Sequence, residues 1–392
     1  MATADRAEEQ EPPDQEELRV STIELFFDLV FVFTLTQLTS LLAEHPTAEN
    51  LARVVLIFVV LFWMYGGYVW LTNQVPPDRP ARRLLMILGM AAFFMCALAI
   101  PEAFDGSGVA LGIGYLLVIL VHAGLWTQVY ESRVVLRFGP FNVAAAVSVI
   151  IAGMLEGPAA YALWVAAIVI LFVTPRIAGR AAPQFPVRSR HFVERHGLLL
   201  IVALGESVVA IGIGLAGVPL TLKLFGAGVL ALALVAAMWW AYFVGDEEGA
   251  DHAMTSASPA QRFGLAINGY FFAYIPILLG VITTAAGLEL SIGDVLARLE
   301  IAPAVLLAGG VALYLTGDVA FRRVMRIRPI AYRAGAAVIA LGTVVLGLYL
   351  AAAIQLVALV VIVIAALASE ASRRRAERAA KTVVDRPGRR SH

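Results

Sequence analysis

From residue 21 to residue 371 the chain is a succession of apolar runs, each about twenty residues long, the length that carries an α-helix across a bilayer. Hydrocarbon offers no water to an open backbone, so such runs are usable only as helices or as a closed barrel. A barrel would show alternating segments of about ten residues, and these are absent. The chain therefore reads as an all-α polytopic membrane protein. Composition agrees: 60% of residues are hydrophobic and 15% charged, against roughly 45–50% and about 25% in soluble domains. A single cysteine, Cys96, excludes a disulfide scaffold or a Cys-rich metal centre. The 29 basic residues balance 29 acidic ones, so the basic surplus of a nucleic-acid binder is missing. Nearly all the basic residues are arginines, with only Lys223 and Lys381 as lysines, a composition that suits a GC-rich bacterial genome.

Breaking hydropathy at Pro, Gly and charge clusters predicts twelve helices. They lie near 21–43, 51–73, 83–104, 109–131, 139–156, 158–175, 193–215, 221–244, 262–285, 302–321, 331–350 and 352–371. Glu8, Glu9, Glu11, Asp14, Glu16 and Glu17 make the N-terminus a solvated acidic tail, without the basic start of a signal peptide. With twelve spans, Arg53, Lys223 and Arg298 are the basic residues on one side, and the other 26 of the 29 fall on the opposite side. The positive-inside rule then predicts that both termini are cytoplasmic.

The chain also reads as two halves. IELFFDLVFVFTLTQLTSLL after Thr22 and VERHGLLLIVALGESVVAIG from Val193 both open on a glutamate, Glu24 and Glu194, and place polar residues about three turns later. The second helices share Met64-Tyr65-Gly66-Gly67-Tyr68 and Met238-Trp239-Trp240-Ala241-Tyr242; the third share Phe93-Phe94 and Phe271-Phe272. Six helices per half is an even number, so the two repeats would be parallel. The expected division is an acidic tail (1–19), a first six-helix repeat (20–175), an Arg- and Pro-rich linker (176–192), a second repeat (193–371) and a basic tail (372–392).

The same two openings, Val20-Ser21-Thr22-Ile23-Glu24-Leu25-Phe26-Phe27-Asp28-Leu29-Val30-Phe31-Val32 and His191-Phe192-Val193-Glu194-Arg195-His196-Gly197 leading to Leu204-Gly205-Glu206-Ser207, resemble the bacterial low temperature requirement A (LtrA) proteins. The resemblance runs from about residue 19 to 370, with its specific motifs in these two stretches. It implies a multipass bacterial membrane protein named for growth in the cold, with no settled biochemistry and no family role for His196.

An ionisable side chain at mid-span costs roughly 2.5–3.5 kcal/mol, so each one needs a partner or a watery cavity. Glu24 and Asp28 share one helix face. They are either a structural ion cluster with Arg19, Arg83 or Arg195, or a titrating, ion-binding pair. Glu206 lies about 20 Å along its helix from Glu194, with no basic residue within three turns. It is either a neutral hydrogen-bonded group or a functional carboxylate, with Gln37 and Ser207 as near neighbours. HFVERH places His191 and His196 five apart, about 140° round a helix, which is wrong for a zinc pair. His191, Glu194 and Arg195 instead suggest a cytoplasmic-end polar cluster, and Asp318 an end-of-helix pair with Arg322. His122 fits a hydrogen-bonded core histidine better than a proton relay.

No phosphate-binding loop, nucleophile elbow or metalloprotease motif is present. The expectation is a secondary transporter or ion-conducting protein of the bacterial cell (inner) membrane. It is not expected to be an enzyme, to hold a metal or a cofactor, or to bind nucleic acid; its surroundings are lipid and its cargo an unknown small solute or ion. Glu206 would titrate, Gln37 and Ser207 would hydrogen-bond, and Asp28 with Glu24 would form a cytoplasmic-side relay. A membrane-embedded enzyme acting on lipid would need a nucleophile, base and orienter at one depth, which the sequence does not offer. A non-catalytic scaffold or sensor has no evident reason to carry Glu206.

Overall fold

A computed structural model describes residues 20–128, 133–178, 187–219 and 221–384. Among them the secondary structure is helical throughout, with no strand. The first group of helices is α1 (Thr22–Glu44), α2 (Ala48–Gln74), α3 (Pro80–Ala99), α4 (Gly108–Thr127), α5 (Arg133–Ala152) and α6 (Pro158–Ala178). The second begins with α7 (Ser189–Gly214), α8 (Leu222–Phe243), α9 (Asp246–Ser256) and α10 (Pro259–Leu265), which runs through a π-helical turn (Ala266–Ala273) into α11 (Tyr274–Ser291). It ends with α12 (Ile301–Met325), α13 (Ala331–Gly342), α14 (Val344–Tyr349) and α15 (Ala352–Val384).

Local chemistry sets many of these ends. Ser21 caps α1 in a capping box with Glu24, its backbone N–H and hydroxyl donating to Glu24 Oε2 at 2.8 and 2.7 Å. Thr47 and Thr221 accept from the third residue of α2 and α8, and Pro80 and Pro259 sit in the first turn of their helices, where no donor is lost. Arg326, at φ +59°, closes α12, with the Ile327 N–H returning to the Arg322 carbonyl at 2.8 Å.

Among the described residues, eleven helical stretches are long and apolar enough to cross a membrane. They correspond to eleven of the twelve predicted segments. The remaining one, the fifth, is a shorter apolar helix, Leu136–Ala152, with Pro140 inside it. Large apolar side chains such as Phe26, Leu29, Leu120, Phe225, Val229 and Val361 face outward, as they would toward lipid. This is a multi-pass membrane protein.

The structure also differs from the hydropathy reading in places. The loop expected after residue 244 contains α9, whose DEEGADHAMTS sequence is too polar to register as a span. The segment expected at 331–350 is divided at Thr343 into α13 and α14. The basic tail expected from 372 continues α15 as helix to Val384. Residues 1–19, and residues 179–186 within the predicted linker, lie outside the described residues.

Each group repeats a neighbour pattern. In the first, α1 packs on α2 and α3, α3 on α4, α4 on α5, α5 on α6, and α2 on α6. In the second, α7 packs on α8 and α11, α11 on α12, α12 on α13, α13 on α15, and α8 on α15. The groups meet where α1 touches α7 and α11, and where α2 touches α7 and α11.

Candidate functional site

The two motif-bearing helix starts converge. Glu24 and Asp28, one turn apart on α1, face Arg195 on α7, which is buried completely. Its guanidinium spans both carboxylates: Nη1 lies 2.9 Å from Glu24 Oε1, while Nη2 and Nε donate to Asp28 Oδ1 at 2.8 and 3.1 Å. Tyr65 on α2 donates its hydroxyl to the same Asp28 oxygen at 2.8 Å. His191, one turn before Arg195, brings Nε2 to 3.3 Å from Glu24 Oε1, and Asn73 stands 3.3 Å from its other ring nitrogen. Asn73 also clasps the start of α7, exchanging hydrogen bonds with the backbone of Arg188 at 2.9 and 3.0 Å. Of the cations expected to meet Glu24 and Asp28, Arg195 is the one that does; Arg83 donates to the Pro77 carbonyl and Arg19 lies outside the described residues.

Glu194 does not join this cluster. His191 and Arg195 are four apart and share a face, whereas Glu194 is turned about 100° from Arg195. It lies within electrostatic reach of Glu247 on α9 instead. His196 points elsewhere again, bonding the Phe192 carbonyl at 2.8 Å and packing on Tyr270. Among the described residues, no group of three or more His, Cys, Asp or Glu is placed to hold a metal ion.

Farther along the same two helices, Thr36 on α1 donates its hydroxyl to Glu206 Oε2 on α7 at 2.6 Å. Glu206 is buried, at 6% exposure, with no basic side chain in contact among the described residues. The spacings Asp28 to Thr36 and Arg195 to Glu206 put this contact roughly 12–16 Å beyond the arginine cluster. Glu289, near the end of α11, lies close enough to feel the charges of Glu206 and of Glu44 at the end of α1. Ser207 is buried with its hydroxyl unpartnered. Gln37 is half-buried and makes no polar contact among the described residues, because one residue turns it about 100° from Thr36.

A second buried ion cluster, which the sequence did not disclose, ties four helices of the second group together. Arg322 pairs with Asp246 and Glu370 at 2.9 Å each. Arg333 pairs with Asp318 at 2.6 Å, Asp246 at 2.7 Å and Glu370 at 3.0 Å. The expected Asp318–Arg322 pair is replaced by Asp318–Arg333, because Arg322 turns toward α9 and α15. The signal for Thr36 was present, since it precedes Glu206 by 170 residues, the separation of Glu24 from Glu194.

The family model of the bacterial low temperature requirement A protein (LtrA) matches residues 19–368, nearly the whole chain. An uncharacterized protein of Rhizobium meliloti (strain 1021) is 27% identical over 331 residues, covering 79% of this chain and 78% of that protein. Both motif stretches that build the Glu24–Asp28–Arg195 cluster, and the helix segment carrying Glu206, fall inside the family match. The chain belongs to the bacterial low temperature requirement A family.

Proposed function

We propose that this protein is a secondary transporter or ion-conducting protein, with Glu206 as its proton- or cation-binding carboxylate. One observation carries the reading: a buried carboxylate well inside a span has a neutral hydroxyl, Thr36, as its partner, while the other deeply buried acids are held by arginine. A carboxylate neutralised by arginine needs no further function to account for it. One left beside a hydroxyl can exchange a proton or take a cation, and an intramembrane acid is expensive enough to need a reason. Glu24, Asp28 and Arg195 serve in this account as the cytoplasmic-side clamp between the halves, and Ser207 and Glu289 as further polar groups near the ion path.

The architecture proposed with it is twelve crossings in two parallel six-helix repeats. The six neighbour pairs that recur between the helix groups support this reading. So does the contact between Thr36 and Glu206, equivalent positions that would meet at a pseudo-twofold axis. The Leu136–Ala152 helix is then the fifth crossing, at the short end of the roughly 17–25 residues that span hydrocarbon. An even count and the arginine bias support a reading with both termini in the cytoplasm and the bacterial inner membrane as the site. We read the protein as a carrier or channel without enzyme chemistry. Purified protein in liposomes, scanned for proton, potassium and sodium flux, tests this. Saturable flux of one of them above empty liposomes is expected; absence of all three would reject Glu206 as a site for these ions.

A further inference from the structure

Between the two helix groups, on the side where α2 and α4 end and α7 begins, lies a cavity of about 170 Å³. Its walls are aromatic: Trp63 and Trp70 of α2, Trp126 of α4, Phe138 of α5, and Tyr270 and Phe271 of the π-helical turn. The extra residue of a π turn re-aims the side chains that follow it, and such turns gather at functional sites. Here it brings Phe271 against the first group, stacking on Phe62 at 5.5 Å and meeting Trp63 edge-on at 5.0 Å, while Tyr270 packs on His196 of α7. The cavity is separate from Glu206, since His196 at its wall lies about 15 Å before that residue along α7.

Its chemistry is selective. Among the described residues lining it there is no Asp, Glu, Lys or Arg. Besides the indoles, four side chains with polar atoms line it: Asn142, His122, His196 and Tyr270. The Asn142 carbonyl oxygen already accepts from the Trp63 indole at 3.0 Å, and its amide nitrogen makes no hydrogen bond. His122 Nε2 is taken by the Trp126 indole at 3.0 Å, and one nitrogen of His196 by the Phe192 carbonyl. The cavity thus presents flat rings and, among its polar groups, an uncommitted amide donor on Asn142.

We infer that this cavity binds a planar, uncharged, one- or two-ring lipophile whose carbonyl or similar acceptor takes the Asn142 amide N–H. Size favours it: an apolar cavity of roughly 150 Å³ takes up a benzene ring. Charge favours it too. Aromatic faces attract organic cations, but a cation inside the membrane would find no carboxylate among the described residues of the wall, and an anion would find no arginine. The ring faces and edges suit offset and edge-on contacts with a flat ligand. This inference does not depend on transport by Glu206.

Three of the six tryptophans, Trp63, Trp70 and Trp126, line the cavity, so their fluorescence reports its occupancy. The probe is 2-methyl-1,4-naphthoquinone, flat, neutral and bearing two carbonyls, titrated into the full-length protein in detergent. The planar cation 1-methylquinolinium is the control. We expect saturable quenching by the quinone above the linear background of detergent partitioning, and only linear quenching by the cation. Asn142→Leu removes the donor. Gly66→Leu fills the mouth, where an added Cβ meets nothing nearer than Phe271 at 3.9 Å and no hydrogen bond is touched. Each should weaken apparent affinity by about tenfold or more while circular dichroism and thermal unfolding stay close to the parent. Linear quenching alone in the parent overturns the inference. So does saturable quenching that survives Gly66→Leu in a folded protein, or preference for the cation. Loss in Gly66→Leu with full retention in Asn142→Leu overturns the assignment of the amide donor.

Discussion

Arg195 holds the start of α7 to α1 by facing two carboxylates at once, with the Tyr65 hydroxyl donating to Asp28 and His191 beside Glu24. Burying these charges is costly, and the geometry returns that cost only while all partners are present. Arg195→Ala should therefore destabilise the folded protein by about 3–5 kcal/mol, since it strands Glu24 and Asp28 away from water. Thermal unfolding in detergent checks this, and a stability equal to the parent would show that the carboxylates are not held by the arginine. The Thr36–Glu206 contact is smaller. Thr36→Val keeps the side chain's shape and removes its donor, which should cost about 1–3 kcal/mol, whereas Thr36→Ser keeps the hydroxyl and should cost less. Equal losses in the two variants would mean that the hydroxyl does not matter. The sequence singled out Glu24, Asp28, Arg195 and Glu206 because charge inside an apolar run is visible by itself. Thr36 is inconspicuous because threonine is unremarkable in a span, whereas Gln37, one residue along, stands out by its amide. Asp246, Arg333 and Glu370 were hidden because they come from three elements and meet Arg322 only after folding.

At the scale of helices, α11 and α12 show how closely two spans can approach. Gly280 and Gly287 on α11, and Gly310 and Gly317 on α12, are each seven apart and face the partner backbone. A Cβ at Gly310 would sit 2.5 Å from the Thr284 backbone nitrogen, and one at Gly317 would be 2.6 Å from that of Ile277. Small residues that admit such contact are how helices associate in lipid, where apolar burial gives no drive. Gly309, next to Gly310, has open space around it. Gly310→Val should lose folded yield and at least about 1–3 kcal/mol, while Gly309→Val should behave like the parent. Similar behaviour of both, by size-exclusion profile and unfolding temperature, would contradict the close packing. Hydropathy located these helices well because length and apolarity are local properties. It could not foresee α9, which is polar, nor the π turn, which is a register change invisible to composition. It also placed the fifth segment at 139–156, whereas the helix is Arg133–Ala152, because Pro140 was read as a break and the helix instead runs through it.

At the scale of the whole molecule, the proposed twelve crossings with cytoplasmic termini make a prediction about which side each loop faces. In a Cys96→Ala background, Gly106→Cys should react with a membrane-impermeant maleimide added to intact cells, and Arg328→Cys only after the inner membrane is opened. Both positions are exposed. The reverse pattern would overturn the proposed orientation, and equal reactivity from outside would overturn the odd number of crossings, seven, proposed between them. The central claim remains that the two groups meet around a carboxylate that exchanges a proton or a cation. Glu206→Gln tests it most directly, because Gln keeps the size and the hydrogen-bonding capacity of a protonated glutamate but can neither release a proton nor attract a cation. In liposomes, with expression, monodispersity and unfolding temperature matched to the parent, the account predicts that coupled flux falls by about tenfold or more. Undiminished flux in a folded Glu206→Gln protein would contradict it and leave Glu206 as a structural hydrogen-bond partner of Thr36.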